Sequence, residues 1–175
     1  MFQQERVTLQ NPSSWRTGKL TSLLTLLLFL AGVSPRLAAQ ANEWTWMGGS
    51  NTGGQPGVYG TLGVPAAGNV PGGRYSAVSW TDGSGNFWLS GGWGQDAFNN
   101  QGNLNDLWMF TPSTGEWTWM SGSNSWWQPG VYGTKGVPAA TNVPGARDPA
   151  CSWMDSSGNL WLFGGNGYED RKSVV

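Results

Sequence analysis

Histidine is absent from this 175-residue chain, and cysteine occurs once, at Cys151. Without histidine the commonest general base and the commonest metal ligand are both missing, so a Ser/His/Asp or Cys/His nucleophile cannot be assembled. One cysteine also excludes a framework of intrachain disulfides. We interpret Cys151 as a small, buried hydrophobic residue of a strand and not as a reactive thiol. The sequence therefore predicts a protein that is not an enzyme and that has no metal site and no cofactor.

Charged residues are also scarce, at 11% of the chain. Residues 42–175 contain five cationic and nine acidic side chains. An acidic surface with so few cations cannot follow a phosphate backbone, which excludes nucleic acid as a partner. No helical periodicity appears after residue 41, and apolar residues and turn residues alternate at strand spacing. We therefore expect an all-β fold.

A long apolar run is found only near the N-terminus. Arg16 and Lys19 precede the run Leu20 to Val33, and the A-Q-A sequence that ends at Ala41 fits a secretory cleavage site. We interpret residues 1–41 as a signal peptide, and we expect a secreted, periplasmic or cell-surface protein with no membrane association after cleavage. An uncleaved anchor is the alternative, but the run is shorter than the ~20 residues that span a bilayer.

The most informative feature present is an internal repeat. Glu43 to Gly94 recurs as Glu116 to Gly167 at a constant offset of 73 residues, without insertion or deletion. A fixed period indicates supersecondary units that bury their apolar faces against one another. We predict a signal peptide over residues 1–41 and a single domain over residues 42–175. Within that domain the first copy of the repeat covers 43–115 and the second covers 116–175.

Turn signals divide each unit into four strands. Asp82 to Asn86 and Thr111 to Gly115 are rich in residues that tolerate a positive φ, and each predicts a tight hairpin turn. Four short antiparallel strands are typical of a propeller blade. The predicted strands, with an N-terminal copy of the fourth, are Arg74 to Thr81, Phe87 to Gly92, Leu104 to Phe110, Glu116 to Met120 and Glu43 to Met47.

Antiparallel order predicts where the connections lie. Both short turns fall on one face, and the long loops 48–73, 93–103 and 121–145 crowd the other. Binding residues are often carried by loops on a rigid scaffold, so we expect any binding site on the long-loop face.

Double glycines close the second strand, and aromatic residues follow in the third and fourth strands. At these residues the chain resembles the kelch repeat family. The resemblance implies a β-propeller of four-stranded antiparallel blades that presents its loops to a protein or carbohydrate ligand. The unit is longer than the ~50 residues typical of kelch, and the excess lies in the long loops. The motif residues are Gly91, Gly92, Gly164, Gly165, Trp108, Trp117 and Trp119.

A kelch-type ring also underlies galactose oxidase. Its copper site uses histidines and a tyrosine crosslinked to cysteine, so that activity cannot be transferred to a chain without histidine. Counted in blades, the sequence holds one complete blade and parts of others, whereas propellers close with four to eight. We therefore expect an N-terminal remnant of a longer propeller, with exposed blade edges that self-associate.

Two kinds of charged residue recur in both copies, and we predict a structural role for each. Arg74 and Arg147 are expected to bind neighbouring carbonyls or an Asp. Asp82 and Asp155 are expected to cap backbone amides in their hairpin turns. The turns are too short and too poor in carboxylates for a calcium loop, and glycoside chemistry is the weaker interpretation of these residues.

Tryptophan is abundant, with 13 residues, and most of those after residue 41 recur at the repeat offset, which favours packing between blades. Trp93, Trp126 and Trp127 do not recur: Asn166 stands in place of Trp93, and two glycines stand in place of the pair. Residues that vary on a constant scaffold often serve recognition. Two interpretations remain open for these indoles: packing within the loops, which the sequence slightly favours, and a ligand site where sugar rings stack on them. The predicted ligand contacts are Trp93, Trp126, Trp127, Tyr59 and Tyr132.

We further predict that Trp126 and Trp127 are more accessible to solvent than Trp80, Trp88 or Trp108, which lie in the predicted strands. The expected function is a secreted, non-enzymatic kelch-type binding module. The alternative is a fragment of an extracellular carbohydrate-active or oxidase-type propeller enzyme whose catalytic residues lie in blades outside this chain.

Overall fold

The computed structural model describes residues 44–167. Contacts divide the chain into two units, with the boundary between Met47 and Gly48. The predicted signal peptide and its cleavage site lie outside the described residues, as do Glu43 and residues 168–175. Of the first unit only 44–47 are described, and they form no strand. The predicted strand Glu43 to Met47 is therefore wrong over these residues.

The described residues form eleven short strands and no helix, so the predicted all-β class is confirmed. Among residues 44–167 there is no helix long and apolar enough to cross a membrane. The strands are β1 Arg74–Tyr75, β2 Val78–Thr81, β3 Phe87–Ser90, β4 Trp93–Gln95, β5 Gln101–Asn103, β6 Leu107–Thr111, β7 Glu116–Ser121, β8 Arg147–Asp148, β9 Cys151–Met154, β10 Leu160–Phe163 and β11 Asn166–Gly167.

The largest sheet is the predicted four-stranded unit. Its strands lie in the order β2-β3-β6-β7, and every neighbouring pair is antiparallel. Along β2, Val78 and Trp80 are buried and the alternate residues are exposed, as expected for a strand with one face on the core. Trp108 on β6 is fully buried, and its ring centroid lies 4.8 Å from that of Tyr59. The buried apolar residues come mainly from the first copy, and the second copy adds Ala146.

Two predictions about this unit are wrong in detail. The predicted first strand breaks at Ser76, whose φ of 54° turns the chain so that β1 separates from β2. The predicted loop 93–103 contains the hairpin β4-β5, and β1 pairs with β4 to give a second sheet in the order β1-β4-β5. The strands are short and rich in Gly, Gln and Asn, which explains why alternation of apolar residues did not reveal them.

The long loop 48–73 does not lie wholly on the predicted face. Part of it runs beside β7, where the Gly63 amide donates to the Trp119 carbonyl at 2.8 Å and Ala66 forms a bridge with Trp117. Asn69 adds a side-chain hydrogen bond to the Trp117 carbonyl at 3.0 Å. Residues 63–69 therefore cover backbone groups of a strand that would otherwise be an edge.

The second copy packs against the first through equivalent strands. β9 pairs with β10 and contacts β2 of the first copy, and the Trp80 indole nitrogen donates to the carbonyl of its own repeat partner, Trp153, at 3.1 Å. Cys151 lies on β9, in a strand as predicted, but its predicted burial is wrong because the side chain is exposed. The Gly92 amide donates to the Arg147 carbonyl at 3.0 Å, where β8 begins. Within residues 44–167 the sheets are small and antiparallel, and none closes on itself.

Candidate ligand-binding site

Arg74 lies in a buried network that confirms its predicted structural role. Its guanidinium binds both carboxylate oxygens of Asp106, at 2.6 and 2.7 Å, and the Gly91 carbonyl at 3.1 Å. The Trp108 indole and the Tyr59 hydroxyl also donate to Asp106, at 2.8 and 2.7 Å. Burial alone would lower the pKa of Arg74, but the Asp106 carboxylate outweighs it and raises that pKa. The Arg74 guanidinium therefore stays charged, and its hydrogen bonds fix the centre of the first copy.

The predicted ligand contact Tyr59 belongs to this core instead. Its side chain is buried, and burial followed by the Asp106 charge raises the pKa of its hydroxyl, which therefore remains a donor. Its repeat partner Tyr132 is half-buried, and the hydroxyl accepts from Arg147 at 3.3 Å. Arg147 also donates to the carbonyls of Gly145 and Gly164, at 3.0 and 2.7 Å. Tyr59 is thus a buried residue of the core, whereas a ligand contact by the half-buried Tyr132 stays a prediction.

Three loops with the spacing Asp-x-x-x-Asn share one geometry. Asp82 accepts from the backbone amides of Ser84 and Asn86, from the Asn86 side chain and from the Trp88 indole, all at 2.8–3.0 Å. Asp155 repeats this arrangement with Trp161, so the predicted capping role of both is confirmed. Among residues 44–167 no three Asp, Glu or Cys side chains form a group that could hold a metal ion.

These hydrogen bonds also determine how the turn carboxylates titrate. The bond from the Trp88 indole, followed by that from the Asn86 side chain, lowers the pKa of Asp82 from 3.8 to about 2. Asp155 is lowered to about 2 as well, by Asn159 and then Trp161. Both turns therefore keep an ionised carboxylate at any ordinary pH.

The third such loop, Asp96 to Asn100, was not recognised from the sequence. Asp96 is fully buried, and it accepts from the amides of Phe98 and Asn100 at 2.8 Å and from that of Trp126 at 3.3 Å. Burial would raise the pKa of this carboxyl, but the hydrogen bonds, led by that of the Asn100 side chain, outweigh it and lower the pKa. This loop could have been found from its D-x-x-x-N spacing, which the two predicted hairpin turns share. Asp96 therefore ties the tip of the β4-β5 hairpin to the loop that carries Trp126.

The three non-repeating tryptophans lie together. The ring centroids of Trp93 and Trp127 are 6.0 Å apart and those of Trp126 and Trp127 are 5.8 Å apart, with interplanar angles of 85° and 65°. We call Trp93, Trp126 and Trp127 the tryptophan cluster. Three predicted ligand contacts from two different loops thus form one aromatic group.

A glycine makes room for this cluster. A Cβ on Gly102 of β5 would collide with the Trp126 ring and would lie 2.7 Å from the indole nitrogen of Trp127. The Trp127 amide donates to the Asn103 carbonyl at 2.8 Å, next along the same strand. The hairpin β4-β5 therefore supports both loop tryptophans, a role for Gly102 that the sequence analysis missed because no pattern distinguishes it from the other loop glycines.

The backbone at Trp127 is strained. Its φ is 53°, in the left-handed region that bulky residues rarely occupy, and its repeat partner Gly54 has a φ of 67°. The two copies thus keep one backbone conformation, and the second copy places an indole where the first has the residue that tolerates it. Strain of this kind persists where a surrounding structure enforces it, and it concentrates at functional sites.

The tryptophan cluster is partly open to solvent. Its three residues are half-buried, whereas Trp80 is 9% and Trp108 0% exposed, so the predicted order of accessibility is confirmed for those two. Trp88 is half-buried like the cluster, and for it the predicted order stays a prediction.

Uncharged polar residues occur in the β4-β5 hairpin that supports the cluster. Asn99, Asn100 and Gln101, between β4 and the middle of β5, are exposed. Two buried acceptors, Gln95 Oε1 and Asn103 Oδ1, have no hydrogen-bond partner among the described residues. Comparison with protein families, with curated proteins and with solved structures finds nothing that matches this chain.

Proposed function

We propose that this chain forms part of a secreted kelch-type β-propeller. The four-stranded sheet β2-β3-β6-β7 supports this assignment, because its up-and-down order is that of a propeller blade. The packing of β2 against β9 supports it further, since corresponding strands of neighbouring blades adjoin in such a ring. In this interpretation the Trp80 to Trp153 hydrogen bond joins one blade to the next.

The propeller interpretation predicts how added blades would change the protein. Trp153 is 46% exposed, although its partner Trp80 is buried by the second copy. The chain alone should therefore self-associate or unfold with low cooperativity, and appending further 73-residue units to closure should give a monomer with a sharp transition. Light scattering and thermal melts on both proteins test this. A monodisperse monomer of the chain alone with one steep transition would contradict the interpretation.

Within that scaffold the protein is a non-enzymatic module that binds carbohydrate. The single observation that carries this proposal is the tryptophan cluster, which gathers the three indoles that the repeat does not share and leaves them half-buried. Aromatic rings present apolar faces to ligands, and neighbouring polar groups fix ligand orientation. Sugar rings offer both an apolar face and hydroxyl groups, so they match a site built from indoles and amides.

The carboxylates support a binding role over a catalytic one. Asp82, Asp96 and Asp155 each accept several hydrogen bonds from their own loops, and Asp106 binds Arg74 in the core. The lowered pKa values of Asp82, Asp96 and Asp155 mean that these three carboxylates are not poised to transfer a proton at neutral pH. The chain has no histidine to replace them.

Affinity electrophoresis of the full chain through gels that contain soluble polysaccharides tests the binding function. We expect at least one polysaccharide to retard the protein. The double substitution Trp126→Gly/Trp127→Gly, which restores the residues of the first copy, should weaken the interaction by about tenfold or more.

The matched control is Trp153→Phe, because Trp153 is an exposed indole outside the tryptophan cluster. It should leave the retardation unchanged. Equal loss of binding in both variants, or retardation by none of the polysaccharides, would refute the proposed function.

A further inference from the structure

We infer that the ligand of the tryptophan cluster is a neutral, soluble glycan chain, and not an anionic polysaccharide or the flat face of a crystalline polymer. This inference rests on the proposed carbohydrate-binding function and specifies its ligand class. Two independent observations carry it: the charges around the cluster and the angles between its rings.

The segments that build the cluster contain almost no charge. Residues 93–103 and 121–131 include one ionisable side chain, Asp96. That carboxylate is fully buried and accepts from backbone amides and a side-chain amide of its surroundings, so it has no free charge to offer a ligand. Recognition of a charged ligand normally needs an exposed partner of opposite sign, and these segments provide none.

Charged residues on the bordering strands do not change this conclusion. Arg74 is ion-paired with Asp106 and buried, and Arg147 is buried against carbonyls of its own copy. Asp148 on β8 is half-buried and lies opposite Asn166, whose carbonyl accepts from the Asn103 side chain. The partly exposed charge on that side is thus negative, which opposes the binding of an anion.

The ring geometry excludes a flat ligand. A planar polymer face needs aromatic rings that lie in one plane, so that each ring stacks on a successive sugar. In the cluster the interplanar angles are 85° between Trp93 and Trp127 and 65° between Trp126 and Trp127. Rings at such angles can contact a single chain from more than one side, and they cannot all lie flat on a surface.

The polar groups at the site suit hydroxyl ligands. The exposed amides of Asn99 and Gln101 can both donate to and accept from sugar hydroxyls without any charge, whereas the Asn100 amide nitrogen already donates to Asp96 at 3.0 Å. Neutral hydrogen bonds of this kind are nearly insensitive to salt, whereas binding through ion pairs weakens as ionic strength rises. Salt dependence is therefore a direct readout of the ligand class.

The experiment compares three kinds of probe on the full chain. Affinity electrophoresis uses neutral xyloglucan and galactomannan, anionic alginate and polygalacturonate, and a pull-down uses microcrystalline cellulose. We expect the strongest retardation with a neutral soluble polymer. The affinity should change by less than about twofold between about 0.05 and 0.5 M NaCl, and it should be lost in Trp126→Gly/Trp127→Gly.

Each other outcome has a distinct meaning. Strongest binding to an anionic polymer, with an affinity that falls in salt, would overturn this inference and leave the carbohydrate-binding function standing. Binding to crystalline cellulose without binding to any soluble neutral polymer would overturn it likewise. Binding to none of the probes would refute the carbohydrate-binding function itself, and this inference with it.

Discussion

The two copies of the long loop share a backbone and differ in what that backbone carries. Gly54 and Trp127 are repeat partners with φ values of 67° and 53°, and Gly133 and Gly60 agree at 57° and 60°. The hydrogen bonds agree as well, since Val58 with Val70 and Val131 with Val143 form equivalent bridges. The second copy nevertheless presents two indoles where the first presents two glycines.

This difference shows that the candidate site is an addition to a repeated scaffold. The positions that both copies keep, such as Arg74 and Arg147, bind backbone carbonyls and hold the loops in place. The positions that change, Trp93, Trp126 and Trp127, meet one another. A constant framework with one altered set of side chains is how a repeat protein gains a local binding function without a new fold.

The largest expected effect tests the constant part of this comparison. Arg74→Met should destabilise the protein by about 3–5 kcal/mol, because it leaves the buried Asp106 carboxylate without its cation. The measurement is the free energy of unfolding in urea. The control Lys135→Met removes an exposed cation and should change stability by about 0.5 kcal/mol or less. Similar values for the two variants would show that the network is not structural.

The next largest effect concerns the contact between β5 and the tryptophan cluster. Gly102→Ala should destabilise the protein by about 1–3 kcal/mol and weaken glycan binding, because the new Cβ displaces the rings of Trp126 and Trp127. Gly83→Ala is the matched control, since its Cβ would meet nothing within 4 Å and Gly83 has no positive φ. Unfolding curves and affinity electrophoresis of both variants decide the matter; unchanged binding in Gly102→Ala would contradict this role of β5.

A smaller effect tests the strain at Trp127 directly. Trp127→Gly should be more stable than Trp127→Ala by about 1 kcal/mol, since both remove the indole and only Ala retains the left-handed penalty. Gly54→Ala should cost about the same in the first copy, where the φ is also positive and the Cβ has room. If Trp127→Ala proves the more stable variant, residue 127 does not keep the left-handed backbone conformation that Gly54 has in the first copy.

The smallest effect is a pH dependence shared by both copies. The folded pKa of Asp82 and of Asp155 is about 2, below the ordinary value of 3.8, so the unfolded state binds more protons in this window. The stabilisation is complete above about pH 4 and declines as the pH falls towards 2. Unfolding free energies between these limits should fall less steeply in Asp82→Asn. An identical slope in wild type and variant would contradict the assignment.

The sequence predicted the four-stranded antiparallel sheet because the signals for its turns are local. Asp82 to Asn86 and Thr111 to Gly115 mark turns by residue type alone, and both form as expected. The β4-β5 hairpin escaped prediction because pairing of short polar strands depends on neighbours far along the chain, here on β1 and on the loop that carries Trp126. Strand register and strand pairing depend on residues far apart in the sequence. In addition, strands of only three residues are too short to show the alternation of apolar and polar side chains that marks a strand.

The candidate site was predicted in part for a related reason. Trp93, Trp126 and Trp127 stood out because they break the repeat, a property that can be read from the sequence alone. Tyr59 was predicted to contact a ligand, and only the structure shows that its side chain is buried and its hydroxyl bound to Asp106. Asp106 itself gave no signal, because an isolated Asp in a strand start has many ordinary roles.

The loop beside β7 has a consequence for how such a protein can be divided or extended. Residues 63–69 precede the four-stranded sheet in sequence, yet they supply donors to the carbonyls of Trp117 and Trp119 at its far side. The structural unit therefore begins before residue 63, whereas an alignment of the strands alone would begin the unit at Arg74. An expression fragment that begins at Arg74 would lose the outer cover of its own sheet, whereas genetic duplication in steps of one whole period preserves it wherever the crossover falls.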